Sequence, residues 1–263
     1  GATLFSDGRY TIQAAEQTDH DLFERVAVAD PGPFGWLANQ DLSGKRLGYD
    51  PALMTPNDVS AFETAATKAG ASIIAVESNP IDAAWTDRPA QPQAPVHPHG
   101  IDFSGEPTDD KRDFIAKEIA DLGADAVIVT APASIAWLFN IRGGDVACSP
   151  LPLARALVRA DGRAPLVLDP AQEATGLREH LGNQVALLPM DTLEAELEGL
   201  SGQNICLDPA SASAWFFQKL DAAGASIIRT QDPVLIPKAC KNAAELQGTA
   251  NAGKYDAQFR QFL

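Results

Sequence analysis

Two stretches of the chain are written in one grammar. In the first, Ser43-Gly44 opens a short apolar run that ends at Asp50-Pro51; a helix-patterned segment follows, and Gly70-Ala71-Ser72-Ile73-Ile74 closes it. In the second, Ser201-Gly202, a run ending at Asp208-Pro209, a helical pattern over 212–223 and Gly224-Ala225-Ser226-Ile227-Ile228 repeat that order. The offset is 158 positions at Asp-Pro and 154 at the glycine, so the second helix is slightly shortened. Leu4–Asp7 also matches Leu166–Asp169, each a short apolar run ending in aspartate, at an offset of 162. An ordered string of matches indicates an internal duplication of strand–helix–strand units, and so an α/β chain of two related domains. Within the first unit, Val59, Phe62, Ala65, Ala66 and Ala69 recur at the spacing of one helix face. Gly70 then stops that helix.

The copies are unequal. The second has a long opening half: an amphipathic helix over Lys111–Leu122, a buried strand over Ala126–Val129, the segment Ser134–Asp145, and a hairpin of Leu151–Val158 and Pro165–Leu168 around Asp161-Gly162. From Asp113 to Asp169 is 56 positions, whereas 6 precede Asp7. About 50 residues of the first copy are therefore expected to be absent, and the chain is expected to begin inside a domain. The expected organisation is a first domain over 1–107, truncated at its start and closing with a proline-rich linker over 89–107. A second domain spans 108–240, and 241–263 holds the start of a connecting helix and an unassigned tail.

Composition excludes several functions. A formal charge of −15 and a pI near 4.5 repel phosphate backbones, so no nucleic-acid partner is expected. No apolar run reaches bilayer length, and Gly1–Tyr10 lacks the basic and apolar regions of a signal peptide, so no membrane partner is expected. Cys148, Cys206 and Cys240 are odd in number and far apart. They read as buried free thiols in a reducing, cytoplasmic setting.

Candidate chemistry is sparse. His97-Pro98-His99 is the one close histidine pair, without the further ligands zinc needs, and His20 and His180 stand alone. Phosphate-loop, nucleophile-elbow and zincin motifs are absent. The most suggestive stretch is Ser134–Asp145, in which the apolar run Ile135–Phe139 ends abruptly in Asn140, Arg142, Gly143, Gly144 and Asp145. The two glycines would supply backbone angles closed to other residues. One reading is a capped strand or short helix whose turn is braced by an Arg142–Asp145 pair. The other is a loop that brings Asn140 and Arg142 near a substrate channel. No catalytic residue and no metal ligand is identified.

Leu4–Gln13, Gly48-Tyr49-Asp50-Pro51, Asn79-Pro80-Ile81-Asp82 and Trp85-Thr86-Asp87-Arg88-Pro89 occur in order. Ser134–Asp145 runs on into Ser149-Pro150-Leu151-Pro152-Leu153, and Pro237–Asn242, Glu245 and Gly248 complete the series. Together these motifs resemble the front half of the Xaa-Pro aminopeptidases of the creatinase/prolidase "pita-bread" metallopeptidase family. The resemblance implies two creatinase N-terminal-type domains, each a mixed sheet flanked by helices. They would precede a catalytic domain in cis, whose two Asp, one His and two Glu hold two divalent metals, usually manganese. It further implies a peptide substrate cleaved before proline and a homo-oligomeric parent. No position here matches the metal ligands, so no cofactor is expected in this chain and it should be inactive alone. Its expected role is to shape substrate access and assembly. A catalytically silent peptide-binding module, or a prolidase or creatinase relative, is the alternative.

Overall fold

The computed structural model describes residues 1–260 and divides into two units, Gly1–Asp87 and Arg88 onward. The first begins with β1 (Ala2–Ser6), α1 (Thr11–Gln17) and β2 (Phe23–Ala27), the two strands pairing in parallel with Leu4 opposite Arg25. After α2 (Gly32–Ala38) come β3 (Arg46–Tyr49), α3 (Pro56–Lys68), the parallel β4 (Ser72–Ala75) and the short α4 (Pro80–Ala84). Thr55 and Asp58 form a reciprocal capping box at the start of α3, with Pro56 just inside it. Leu37, Ala65 and Ala66 form a small core against Trp36, Leu47, Phe62 and Ile73.

The second unit opens with β5 (His97–Pro98), α5 (Ile101–Ser104), α6 (Thr108–Asp121), β6 (Ala126–Val129), α7 (Pro132–Leu138) and β7 (Ile141–Arg142). It continues through β8 (Arg155–Arg159), β9 (Leu166–Val167), α8 (Leu177–Leu181), β10 (Leu187–Leu188) and α9 (Leu193–Glu198). It ends with β11 (Asn204–Leu207), α10 (Ala214–Ala223), β12 (Ser226–Arg229), α11 (Leu235–Ala239) and α12 (Ala243–Arg260). Six strands form one mixed sheet in the order β10-β9-β8-β6-β11-β12, with β8 antiparallel to both neighbours. The strand residues Ala126–Val129 are all buried because helices cover both faces. Val127 and Val129 point into one core with Ile115, Ile119 and Leu138, and Ala126 and Ile128 into another with Leu197, Phe216 and Leu220. No helix among the described residues is long and apolar enough to cross a membrane.

The duplication is present in three dimensions, down to its register. Leu47 pairs with Ile73 as Ile205 pairs with Ile227, which reproduces the offsets of 158 and 154. Gly44 N donates to Gly70 O at 2.9 Å, and Gly202 N to Gly224 O at 3.0 Å. Gly70 and Gly224 take the left-handed angles φ 77° and 78° that end each helix. Leu4 opposite Arg25 becomes Leu166 opposite Leu187, both shifted by 162. The strand pairs of the first unit thus correspond to the outer pairs of the second sheet. Among its described residues the first unit has no strand corresponding to β6 or β8. The consequence is visible in burial: Leu4 and Phe5 are only half-buried, whereas Leu166 and Val167 are buried. With so small a core, the first unit is expected to lose amide protection at lower denaturant than the second in a native-state hydrogen-exchange series. Simultaneous loss from Ile73 and Val127 would contradict this.

Two expectations need correction. The proline-rich stretch 89–107 is not a linker closing the first unit; it is built into the second. Val96 is fully buried and its N–H donates to Gln172 O at 2.7 Å, while β5 pairs antiparallel with β7. An edge strand tolerates proline because one side of it needs no ladder donor. Of the three cysteines, only Cys206 is buried; Cys148 and Cys240 are exposed. The tail residues 261–263 lie outside the described residues.

Candidate functional site

The run Ile135–Phe139 forms the last turn of a helix, α7, and its C-cap, Phe139, rather than a strand. It starts at Pro132, which presets the first helical φ and needs no N–H partner there. Its Ile135 and Leu138 anchor it in the core. The chain then turns sharply at Asn140, whose φ of 47° is left-handed. Asparagine reaches that region more readily than other side-chain-bearing residues. Gly143 and Gly144 do not take positive φ angles. Gly143 is required for a different reason: a Cβ there would meet the Cα and N of Pro152 at 2.9 Å.

Asn140 is buried and fully engaged. Its Nδ2 donates to Glu106 O at 2.8 Å, its Oδ1 accepts from Lys111 Nζ at 2.8 Å, and its carbonyl accepts from His99 N at 2.7 Å. Lys111 comes from α6, donates also to Trp137 O at 3.2 Å, and stands 4.0 Å above the Trp137 ring. Arg142 does not pair with Asp145. Its Nη1 donates to Ala136 O at 3.2 Å and Ile141 O at 2.9 Å, which leaves Nε and Nη2 without a hydrogen bond among the described residues. Asp145 is buried, and its two oxygens accept from Ala94 N, Leu153 N and Gln172 Nε2 at 2.8–3.0 Å. The reason is topological: Asp145 faces the incoming 89–107 stretch, while Arg142 lies across the strand on the side of α7.

The last wall comes from the chain's far end. Asn242 and Glu245 form a capping box at the start of α12, with Asn242 N donating to Glu245 Oε2 at 2.9 Å and Glu245 N to Asn242 Oδ1 at 3.0 Å. Asn242 Nδ2 donates to Ser104 O at 2.7 Å, and Trp137 Nε1 donates to Glu245 Oε1 at 3.0 Å. A cavity of about 410 Å³ results, lined by Lys111, Trp137, Asn140 and Arg142 together with His99, Lys238, Lys241 and Glu245. Burial is the first cause that holds the Lys111 and Arg142 cations below their ordinary pKa ranges; for Lys111, Arg142 adds repulsion while Glu245 and Glu106 oppose it. The His99 imidazole is lowered by burial first, then by Arg142 and Lys111.

Asn140 and Arg142, the two residues singled out from sequence, therefore do line one cavity. His99, Lys111, Trp137 and Glu245 were not identified from sequence. The spacing Asn242-Ala-Ala-Glu245 is a legible capping signal, but nothing local reports that it meets Trp137. The residues present do not fit a dinuclear metal centre: among the described residues, no group of three or more His, Cys, Asp or Glu could hold a metal ion.

Comparison with known proteins places this arrangement. The family model for the "Creatinase/Prolidase N-terminal domain" matches residues 87–245, from the division between the units to the capping-box glutamate. The chain is 32% identical over 263 residues to "Probable Xaa-Pro aminopeptidase P" of Ajellomyces capsulatus, covering 94% of this chain and 42% of that protein. It is 33% identical over 260 residues to a protein of the same name from Coccidioides posadasii, covering 94% and 40%. A crystal structure of X-prolyl aminopeptidase from Caenorhabditis elegans, described as a cytosolic enzyme with a di-nuclear active site, superposes with a TM-score of 0.82 at 24% identity, over 95% of this chain and 42% of the other. This chain thus spans well under half the length of these relatives. With 159 of its 263 residues under the family model and its mixed sheet in the same fold, the chain belongs to the creatinase/prolidase N-terminal domain family and is a homologue of the Xaa-Pro aminopeptidases.

Proposed function

We propose that this chain is the non-catalytic front half of an Xaa-Pro aminopeptidase. Its parent removes the residue that precedes proline at a peptide's N-terminus, in the cytoplasm, as a homo-oligomer. The observation that carries this reading is the coverage: 94% of the chain aligns with only 42% of an aminopeptidase relative. More than half of such a protein is left to hold the reaction centre. Two divalent metals, manganese in the first instance, would generate hydroxide and stabilise the oxyanion in that remainder. No step of the reaction is assigned to residues of this chain. Its part is to present the cavity bounded by α7 and α12 and to restrict the approach of long or folded chains.

The test has two arms. The purified chain is expected to leave an Xaa-Pro peptide intact with manganese present. The reading frame that contains it is expected to encode two Asp, one His and two Glu downstream of Gly248 and to cleave the same peptide. Cleavage by the chain alone would overturn the assignment. A downstream domain without those ligands would instead establish a silent peptide-binding module.

A further inference from the structure

We propose that the cavity between α7 and α12 binds a carboxylate, and that this group is the C-terminus of a short peptide. The choice of a peptide rests on the function proposed above; the anion site itself does not.

The first argument is charge. Arg142, Lys111, Lys238 and Lys241 all line this one cavity, in a chain whose formal net charge is −15. Glu245 is the single carboxylate among the lining residues, and both its oxygens are engaged, one by Trp137 Nε1 and one by Asn242 N. Four cations therefore face one anion already committed to capping a helix. Such a concentration of one sign within low-dielectric walls focuses a field that attracts an anionic ligand.

The second argument is geometry. Lys111 and Arg142 are held in place without carboxylate partners. Lys111 is locked by Asn140 Oδ1 and Trp137 O, and Arg142 by two carbonyls through Nη1 alone. The unused Nε and Nη2 are adjacent donors on the guanidinium plane, the edge that takes a carboxylate with two parallel hydrogen bonds. Arg163 and Arg178 use that same edge on Asp161 and Glu173. Arg155 is also bonded through Nη1 alone, but it does not line this cavity. Arg142 presents an equivalent edge into the cavity that no group among the described residues fills.

The third argument is the rest of the cavity. At about 410 Å³ it lies within the usual range for small-ligand sites, and Phe103, Trp137 and Leu151 give it apolar walls. A peptide of two or three residues offers one carboxylate and an apolar body, whereas inorganic phosphate would leave those walls unused. His99 also lines the cavity, stacked on Phe103, with ring centroids 5.6 Å apart. The charges that act on it are Arg142, Lys111, Glu245 and His180. Its protonation is depressed by burial and by the two nearby cations, so a bound carboxylate is expected to raise its pKa.

The experiment uses the chain as it stands, with His99 followed by NMR and binding by calorimetry. The probes are the tripeptide Gly-Pro-Gly as its free acid, the same peptide as its C-terminal amide, sodium acetate and inorganic phosphate. The free acid is expected to bind, to raise the His99 pKa and to weaken with salt; the amide is expected to bind at least about tenfold more weakly. Arg142→Gln and the exposed Lys241→Gln are each expected to weaken the free acid but not the amide. Lys241→Gln lies on the surface and keeps the test informative if Arg142→Gln fails to fold. Equal binding of acid and amide would overturn the carboxylate site, as would a His99 resonance unmoved by every probe. Phosphate bound more tightly than the acid peptide would overturn the peptide assignment. A parent found inactive would end the aminopeptidase reading yet leave these binding results standing, so the two failures are distinguishable.

Discussion

Replacing Asp145 with alanine is expected to destabilise the second unit by about 3–5 kcal/mol, since three donors lose a charged acceptor and each such loss costs about 1–3 kcal/mol, at the low end for the two half-buried N–H groups. The carboxylate is the common acceptor of three separated pieces of chain. Oδ1 takes the N–H of Ala94, Oδ2 takes that of Leu153, and Gln172 Nε2 lies between the two oxygens at 3.0 and 2.8 Å. Alanine removes all four contacts at once: Gln172 Nε2, in the buried part of the cluster, keeps only the Ala94 carbonyl at 3.2 Å, and the half-buried N–H groups of Ala94 and Leu153 lose their acceptor. Asp145→Asn is expected to lose nearly as much, because one of its terminal atoms is then a donor facing donors. Urea denaturation of each variant measures the loss, with the midpoint moving and the slope unchanged if the native state is otherwise intact. A midpoint shift equivalent to less than about 1 kcal/mol, within the range of ordinary surface substitutions, would show that water replaces the carboxylate. The stretch 89–107 is expected to gain amide exchange first, since Ala94 is where Asp145 holds it.

Asn140→Leu is expected to cost about 3–5 kcal/mol, for two separable reasons. The first is the φ of 47°, which a branched side chain resists. The second is that the buried Lys111 Nζ is left with Trp137 O alone, and the half-buried Glu106 O loses its Asn140 bond. Asn140→Gly relieves the backbone and still takes the Asn140 Oδ1 acceptor from Lys111, so it is expected to fall between leucine and the native residue. If glycine matches leucine, backbone strain contributes nothing; if glycine matches asparagine, the side-chain bonds contribute nothing. Under the carboxylate proposal these variants also weaken peptide binding, because Asn140 positions Lys111. This makes Asn140 a positioning residue, whereas Arg142 is the one with free donors.

How much of this was legible beforehand differs by element. The strand–helix–strand repeat was readable because its signals are local: apolar spacing along α3, the Asp-Pro pairs that close β3 and β11, and Gly70 and Gly224 at left-handed helix ends. The same is true of the hairpin at Gly162, whose φ is 86°. Gly143 shows the limit. A glycine in a sequence signals either a special φ or a close approach, and the approach of Pro152 cannot be read locally. The proline-rich stretch misled for a related reason. Its composition resembles that of a linker, but Val96 is buried by partners at Gln172 and on β7, far along the chain.

The sequence by itself determined the α/β class, the duplication and the offsets between its copies, and the kinship with the creatinase N-terminal domains. The class and each copy of the repeat unit depend on residues within about one helix and two strands of one another, where propensity and hydrophobic period act directly, and the kinship depends on the order of short motifs along the chain. Only the tertiary structure decided the site. Its residues run from His99 to Glu245, and they meet because α6, α7 and the start of α12 converge beside the edge strand β7. It also decided the roles within Ser134–Asp145. Asp145 is spent on tying chain segments together and Asn140 on holding Lys111, whereas Arg142 keeps Nε and Nη2 unpaired among the described residues. Which of several adjacent polar side chains is consumed by the fold and which is left for a ligand depends on contacts with segments as far as 51 positions away in the chain.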